Sequence, residues 1–494
     1  MILEFSIKNF KGFRDSRKLK MKPLTFIYGP NSSGKSSIIH ALMLLKQSFT
    51  KPTKNSGLVS NGDYIDLGSY LTMVNQHNTD LNIEFSIKYT PIKYNISSNH
   101  NLQSYFGSKY DREYDFVFEL FKDETINNGK VFSFLKEISF KVKNIDDNKN
   151  KIHEDFLDLK FTSRLENDGK IKFKDALLKV QDYKYKSEVY AKNHADFLSK
   201  RVGFIDKTLK QSKIVFEHIR YTNFIKDQTF ATPSAVTFEV DNKKDEKVAI
   251  LRFMEAEAGR SLYDLSRELK DKFNSISYLG PLRSYPERIY TITEDYKNSV
   301  GKLGENIANL LCIDNHDILI NKINDTFLAF NIPYKISIRD LGNNEISGNV
   351  VSIELFDIRN NVAVAPSDVG FGIGQILPIL VEGWTKKDSV ICVEQPEIHL
   401  HPRLQAELAE FLLNTARENN NQWIIETHSE ALMLRIQKLI RKGVLDANFI
   451  SILYVDTLKN GTEVTEIRLD EKGRFKDMWP DGFFEERMNE LYGE

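Results

Sequence analysis

Cysteine is nearly absent: the 494-residue chain has two, Cys312 and Cys392, in apolar surroundings and without a Cys-x-x-Cys or Cys/His partner. This excludes a disulfide framework and speaks against a cysteine-held zinc site. No apolar run approaches the ~18 residues of a membrane span. Met1 to Phe13 alternates apolar with polar residues as a strand does, not as a signal peptide does. A cytoplasmic location with no membrane partner is expected. An excess of one charge is missing too: 68 Lys+Arg against 69 Asp+Glu leave a net charge of −1. No bulk basic field argues for nucleic acid, although a local basic groove stays open. Neither an internal repeat nor a sustained heptad is present, so long coiled-coil arms are not expected.

What the chain does have is Gly29-Pro30-Asn31-Ser32-Ser33-Gly34-Lys35-Ser36, a match to G-x-x-x-x-G-K-[ST] in the setting that motif requires. Leu24 to Tyr28 before it suits a buried strand. Ile38, Ile39, Ala41, Leu42 and Leu45 after it fall at helical spacing. Backbone N–H groups at the start of that helix are unpaired and aimed at the loop, where the helix dipole favours an anion. The candidate contacts to ATP are therefore Asn31, Ser32, Ser33, Gly34, Lys35, Ser36 and Ser37. Lys35 is expected to reach the β- and γ-phosphates, and the Ser36 hydroxyl to ligate Mg²⁺. The plain alternative is a chance Gly/Ser turn.

Ahead of this loop, Ile2 to Ile7 alternates with period two. The segments 18–28, 64–70 and 81–89 read as further strands of one small sheet. From Pro91 the composition turns to Asn, Ser, Lys and Asp around short aromatic strands, followed by charged helical stretches near 195–225 and 246–273. An apolar strand ended by Gly280-Pro281 then resumes the core. Asn306 to Phe330 reads as a helix, and Tyr334–Arg339 and Val350–Asp357 as strands joined by a polar turn at Gly342 to Gly348. The expected organisation is 1–90, the first part of a nucleotide-binding core; 91–274, an inserted strand/helix subdomain with a short arm; and 275–494, the rest of that core.

Ser389 to Glu394 is an apolar run ending in a carboxylate, followed by Gln395-Pro396-Glu397-Ile398-His399-Leu400-His401-Pro402. A buried parallel strand delivers its last side chain to the carboxyl edge of the sheet, where ligands sit in open α/β folds. Glu394 is placed to reach Mg²⁺. A helix from Arg403 to Arg417 and the strand Gln422 to Thr427 follow, and the latter ends at His428, which brings an imidazole to the same edge. The expected role of His428 is a γ-phosphate contact, with helix capping as the alternative. A zinc reading of His399, His401 and His428 lacks the i, i+4 pair or cysteine partners that make zinc specific.

These blocks, with Thr427-His428-Ser429-Glu430, resemble the Walker A, Walker B/D-loop and switch-histidine motifs of ABC-type ATPases of the SMC and overcoming-lysogenization-defect (OLD) class, in the same order. Phe10-Lys11-Gly12-Phe13, Tyr278-Leu279-Gly280-Pro281-Leu282-Arg283 and the tail Trp479-Pro480-Asp481-Gly482-Phe483-Phe484 resemble a bacterial branch of stand-alone ATPases in anti-phage systems, including the ATPase component of the PARIS type. The likeness covers residues 1–90 and 275–490. It implies an α/β fold, an ABC-type P-loop ATPase head of mixed sheet flanked by helices, with an inserted α+β subdomain. It also implies a head-to-tail pair or higher oligomer in which a signature loop of one subunit closes on the nucleotide of the other. Ser367 to Gln375 is the candidate, with Gly372, Gly374 and Gln375 as trans contacts and Lys11 as a further cofactor residue. It departs from Leu-Ser-Gly-Gly-Gln. The catalytic set is Glu394, Gln395 and His428, with Ser36 and Glu394 holding Mg²⁺. Where the family has Asp-Glu, this chain has Glu394-Gln395, so hydrolysis is expected to be slow.

The function so implied is a nucleotide-gated sensor or scaffold in anti-phage defence that controls a separate effector such as a nuclease or toxin. One alternative is a DNA-repair or DNA-clamp ATPase, with Lys130 to Lys143 or Lys200 to Lys213 as contacts. Another is an OLD-type ATPase-nuclease, disfavoured because the 66 residues after His428 hold no Asp-x-Asp pair for two metals.

Overall fold

The computed structural model describes residues 1–50, 57–91, 110–121, 132–144, 157–165, 171–179, 267–293, 297–312, 316–344, 348–459 and 461–480. In chain order the strands are β1 (Ile2–Phe10), β2 (Phe13–Asp15), β3 (Leu19–Lys20), β4 (Leu24–Tyr28), β5 (Ile83–Tyr89), β6 (Tyr110–Phe121), β7 (Phe132–Asn144), β8 (Leu157–Leu165) and β9 (Ile171–Lys179). They continue as β10 (Ile276–Leu279), β11 (Tyr290–Ile292), β12 (Tyr334–Asn344), β13 (Gly348–Asp357), β14 (Val362–Val364), β15 (Val390–Glu394), β16 (Gln422–Glu426), β17 (Ile450–Leu458) and β18 (Gly461–Glu466). The longer helices are α1 (Lys35–Thr50), α2 (His316–Ala329), α3 (Phe371–Thr385), α4 (Pro402–Glu418) and α5 (Glu430–Arg441).

The chain divides into two compact units, one of Met1–Ile2, Leu19–Met43 and Ser275–Glu494, the other of Leu3–Lys18 and Leu44–Asn274. The first unit is built on a six-stranded mixed sheet in the order β10-β15-β16-β4-β17-β18. Its first five strands run parallel and β18 returns antiparallel to β17. Parallel strands covered on both faces need apolar side chains at every position rather than at alternate ones. All five residues of β4, β15 and β16 are accordingly buried. Helices supply the cover: α4 turns Leu408, Phe411 and Leu412 inward, and α5 does the same with Leu432, Met433, Ile436 and Ile440. These side chains share one core with Phe26, Ile391, Trp423 and Ile425. Pro402 at the first position of α4 costs no hydrogen bond, since that N–H has no helical partner. A separate sheet, β11-β13-β12 with β14 on β13, completes the unit.

In the second unit, one antiparallel sheet runs β2-β1-β5-β6-β7-β8-β9. β5 alternates strictly, burying Ile83, Phe85, Ile87 and Tyr89. Phe85 meets Phe5, Phe10 and Phe118 at ring-centroid distances of 6.4, 5.6 and 6.3 Å.

Three expectations change. Residues 3–18 and 44–90, assigned to the head from sequence, group instead with the following segment, because β1, β2 and β5 hydrogen-bond into the sheet that β6–β9 continue. Residues 64–70 are not a strand. Leu67 N–H donates to Ser60 O and Gly62 N–H to Ile65 O, and Gly68, at φ 73°, donates its N–H to the Asn61 and Asp66 side-chain oxygens, so the segment closes on itself as a turn. The helix expected over 306–330 is two, Ile307–Leu311 and α2. The β12–β13 hairpin is present, with a bulge between Asp340 and Gly342. The charged helical stretch near 195–225 and the Lys200–Lys213 segment lie outside the described residues; of 246–273 only 267–273 is described, and it is helical.

Candidate functional site

The loop Gly29 to Gly34 leaves the end of β4 with three residues at positive φ, Gly29 at 148°, Ser32 at 61° and Gly34 at 97°. This backbone path curls the chain back on itself, with Ser33 N–H donating to Pro30 O at 3.4 Å and Ser37 N–H to Gly34 O at 3.0 Å. Gly29 is required for a second reason: a Cβ there would lie 2.0 Å from the backbone oxygen of Val455 on β17. Lys35 opens α1 and folds back, its Nζ donating to the carbonyls of Gly29 and Pro30 at 3.0 and 2.6 Å. Burial holds its pKa below the usual lysine value, partly offset by the Glu426 and Glu397 carboxylates. The loop is braced from outside, since the hydroxyls of Thr457 and Thr462 donate to Ser33 O. Ser33 Oγ itself is buried without a hydrogen-bond partner.

Strand register brings the acidic groups to the same edge. Glu394 ends β15 opposite Glu426, which ends β16, and Glu426 in turn lies opposite Ile27 of β4. Glu394 is 5% exposed and its Oε1 accepts from the Tyr278 hydroxyl at 3.0 Å, with His40 Nε2 at 3.2 Å. Burial and the neighbouring carboxylate push the Tyr278 hydroxyl far above its ordinary pKa. Glu426 is 4% exposed. Its pKa rises to about 7, from burial first and then from Glu394, against the lowering effects of Ser36 and Lys35.

The turn after β15 is locked to the turn after β16. Glu397 Oε1 accepts from His428 N–H and Oε2 from the Thr427 hydroxyl, both at 2.7 Å. Gln395 has φ 44° and donates its N–H to Glu426 O at 2.7 Å. Arg283, 3% exposed, reaches under this turn and donates to the carbonyls of Glu394 and Gln395 at 2.8 and 3.2 Å. Burial lowers its pKa to about 10. His428 is held as neutral imidazole, its pKa brought to about 4 by burial and then by Lys35. Ser429, not His428, caps α5, its Oγ accepting from Leu432 N–H.

The three histidines of the zinc alternative have separate local contacts. His401 Nδ1 accepts from Arg403 N–H as the cap of α4, and the His399 ring stands edge-on to Phe371 at 4.7 Å. Among the described residues no group of three or more His, Cys, Asp or Glu is arranged to hold a metal ion.

The glycine-rich segment differs from its sequence reading. The helix begins at Phe371, so Gly372 and Gly374 lie in the first turn of α3 and only Gly370 precedes it. Both inner glycines answer to packing: a Cβ on Gly374 would lie 2.8 Å from Pro286 Cγ, and one on Gly372 3.1 Å from His399 O. Gln375, grouped from sequence with the nucleotide contacts, is fully buried and exchanges hydrogen bonds with the backbone N–H and carbonyl of Arg283. Lys11 lies in the second unit, at φ 49° in the turn between β1 and β2, where its N–H donates to Met73 O at 2.6 Å.

The first unit thus brings together the loop residues Asn31 to Ser37, Glu394, Gln395 and His428. Sequence reasoning missed Glu426 and His40, and quoted Tyr278 and Arg283 within the 278–283 motif without a role at the site. Glu426 carried the signal already used for Glu394, a carboxylate ending a buried strand; His40 acts across the fold and has no local pattern. The residues fit ATP and Mg²⁺: a positive-φ nest with a lysine for phosphate, and a hydroxyl with two carboxylates as hard oxygen donors beside it.

Residues 1–433 match the family described as AAA ATPase domain, and residues 445–492 match one described as a protein of unknown function, DUF3696. No curated protein matches the chain. Among solved structures, an SMC head domain from Thermotoga maritima is 11% identical, with a TM-score of 0.36 over 95% of this chain and 99% of that one. An SMC head with an extended coiled coil, bound to the C-terminal domain of ScpA derived from Pyrococcus furiosus, is 11% identical, with a TM-score of 0.39 over 100% of this chain and 98% of that one.

Proposed function

We propose, from the premise that this chain belongs to the AAA ATPase domain family, that it is a slowly hydrolysing ABC-type ATPase acting as a nucleotide-gated sensor or scaffold. The observation that carries this reading is the convergence of Lys35, Ser36, Glu394, Glu426 and His428 at one sheet edge, in a turn whose base position is the neutral Gln395. Lys35 would leave the Gly29 and Pro30 carbonyls for the β- and γ-phosphates, and the helix start would cradle them. Neutral His428, beside Lys35, would position the γ-phosphate. Bound Mg²⁺ would supply charge neutralisation across the phosphates. The defence role and the separate effector rest on the likeness of the 10–13, 278–283 and 479–484 motifs to anti-phage ATPases.

Calorimetry with ATP and Mg²⁺ tests the core of the reading. Lys35→Ala is expected to weaken binding by about 10- to 100-fold, the worth of a charge-assisted contact, with the melting temperature nearly unchanged. Undiminished affinity would show that this loop is not the cradle.

Pairing of heads is the second part. Gly370 and Phe371 are exposed at the start of α3, with Tyr285 beside Phe371 at 5.7 Å. A second copy bringing this helix start to the γ-phosphate side would close the site. Light scattering at micromolar protein is expected to show a dimer or larger species, favoured by ATP. A monomer with and without ATP would refute head pairing.

A further inference from the structure

Glu426 is a buried carboxylate with an unusual position. It ends the strand lying between the one that carries Glu394 and the one that carries the phosphate loop. Its Oε2 is buried without any hydrogen-bond partner. Leaving a carboxylate oxygen desolvated and unpaired costs free energy, so a fold that keeps one beside a nucleotide cradle implies something that arrives with the nucleotide. Glu394 does not have this spare capacity on Oε1, which already serves Tyr278 and His40.

From this geometry we infer that Glu426 is the positioning residue of the divalent cation: through its unpaired Oε2 it accepts a hydrogen bond from a cation-bound water. The inference rests on the ATP reading above and assigns the outer shell of the ion to β16 rather than to β15 alone. Chemically the partner is a small hard dication that keeps its waters, as Mg²⁺ does when bound with phosphates.

The test is the affinity for ATPγS measured by calorimetry in EDTA and in Mg²⁺, whose ratio gives the cation's enhancement. In Glu426→Gln the enhancement is expected to fall by about 10- to 100-fold, the usual cost of losing an outer-shell partner. Affinity in EDTA should stay equal or improve, since a carboxylate near the polyphosphate has been neutralised. Glu426→Asp should keep part of the enhancement. An unchanged enhancement in Glu426→Gln would overturn the assignment. So would a loss of EDTA affinity in that variant, which would mark a merely structural role. A wild type that binds no ATPγS in either condition would instead overturn the nucleotide reading itself.

Discussion

Gly29→Ala is expected to abolish nucleotide binding and to lower stability, the most damaging single substitution in the loop. Two independent reasons converge on it. The residue holds φ 148°, where an L side chain costs about 1–3 kcal/mol. The added carbon would also stand 2.0 Å from Val455 O, a backbone atom of β17 whose residue pairs with Val464 of β18 and directly follows the Tyr454–Tyr28 pair. A flexible side chain could move aside; a central-sheet carbonyl cannot without breaking register at Tyr454 and Tyr28. Tyr28 and Tyr454 both stand edge-on to Trp479, at 5.6 and 5.7 Å, so the disturbance would reach the tail segment. Gly34→Ala is the control. Its φ is 97°, but its Cβ would meet only the Thr462 side chain, at 3.2 Å. Thermal melting and ATP calorimetry should therefore rank Gly29→Ala well below Gly34→Ala, and an equal ranking would contradict the backbone-contact explanation.

The contrast between these glycines and Gly374 shows what a sequence carries. The phosphate loop was legible because its geometry is local: eight consecutive residues contain the turn, the donors and the lysine. The strands at the site were legible too, since burial on both faces writes an unbroken apolar run, and Leu24–Tyr28 and Val390–Glu394 each have one. Gly372 and Gly374 looked like phosphate donors, yet their reasons, His399 and Pro286, are distant in the chain. Gln375 is the same case, because Arg283 lies 92 residues away. The wrong strand at 64–70 had apolar residues at suitable spacing, but the hydrogen bonds that Gly68 N–H donates to the Asn61 amide oxygen and the Asp66 carboxylate won over sheet pairing.

Turnover is the other large expected effect, and it turns on Gln395. A neutral amide can orient a water but cannot accept its proton, and loss of a general base costs about 10²- to 10⁴-fold. The turn offers no ready replacement. Both oxygens of Glu397 are engaged, by His428 N–H and the Thr427 hydroxyl, so it fixes the two turns together and is not available as a base. Glu394 is bound by Tyr278 and His40. The Gln395 backbone is pinned by Glu426 O on one side and Arg283 on the other, so Gln395→Glu changes the side chain and leaves the turn in place. Steady-state ATPase assays should then find the wild type slow, Gln395→Glu faster by about 10²-fold or more, and Glu394→Gln slower than wild type. A long-lived ATP state follows, which is what a switch that waits for a trigger requires. A wild type turning over at about 1–10² s⁻¹, within the ordinary enzymatic range, with Gln395→Glu no faster, would sink this account and shift the base role to a carboxylate outside the turn, with Glu426 the first to test.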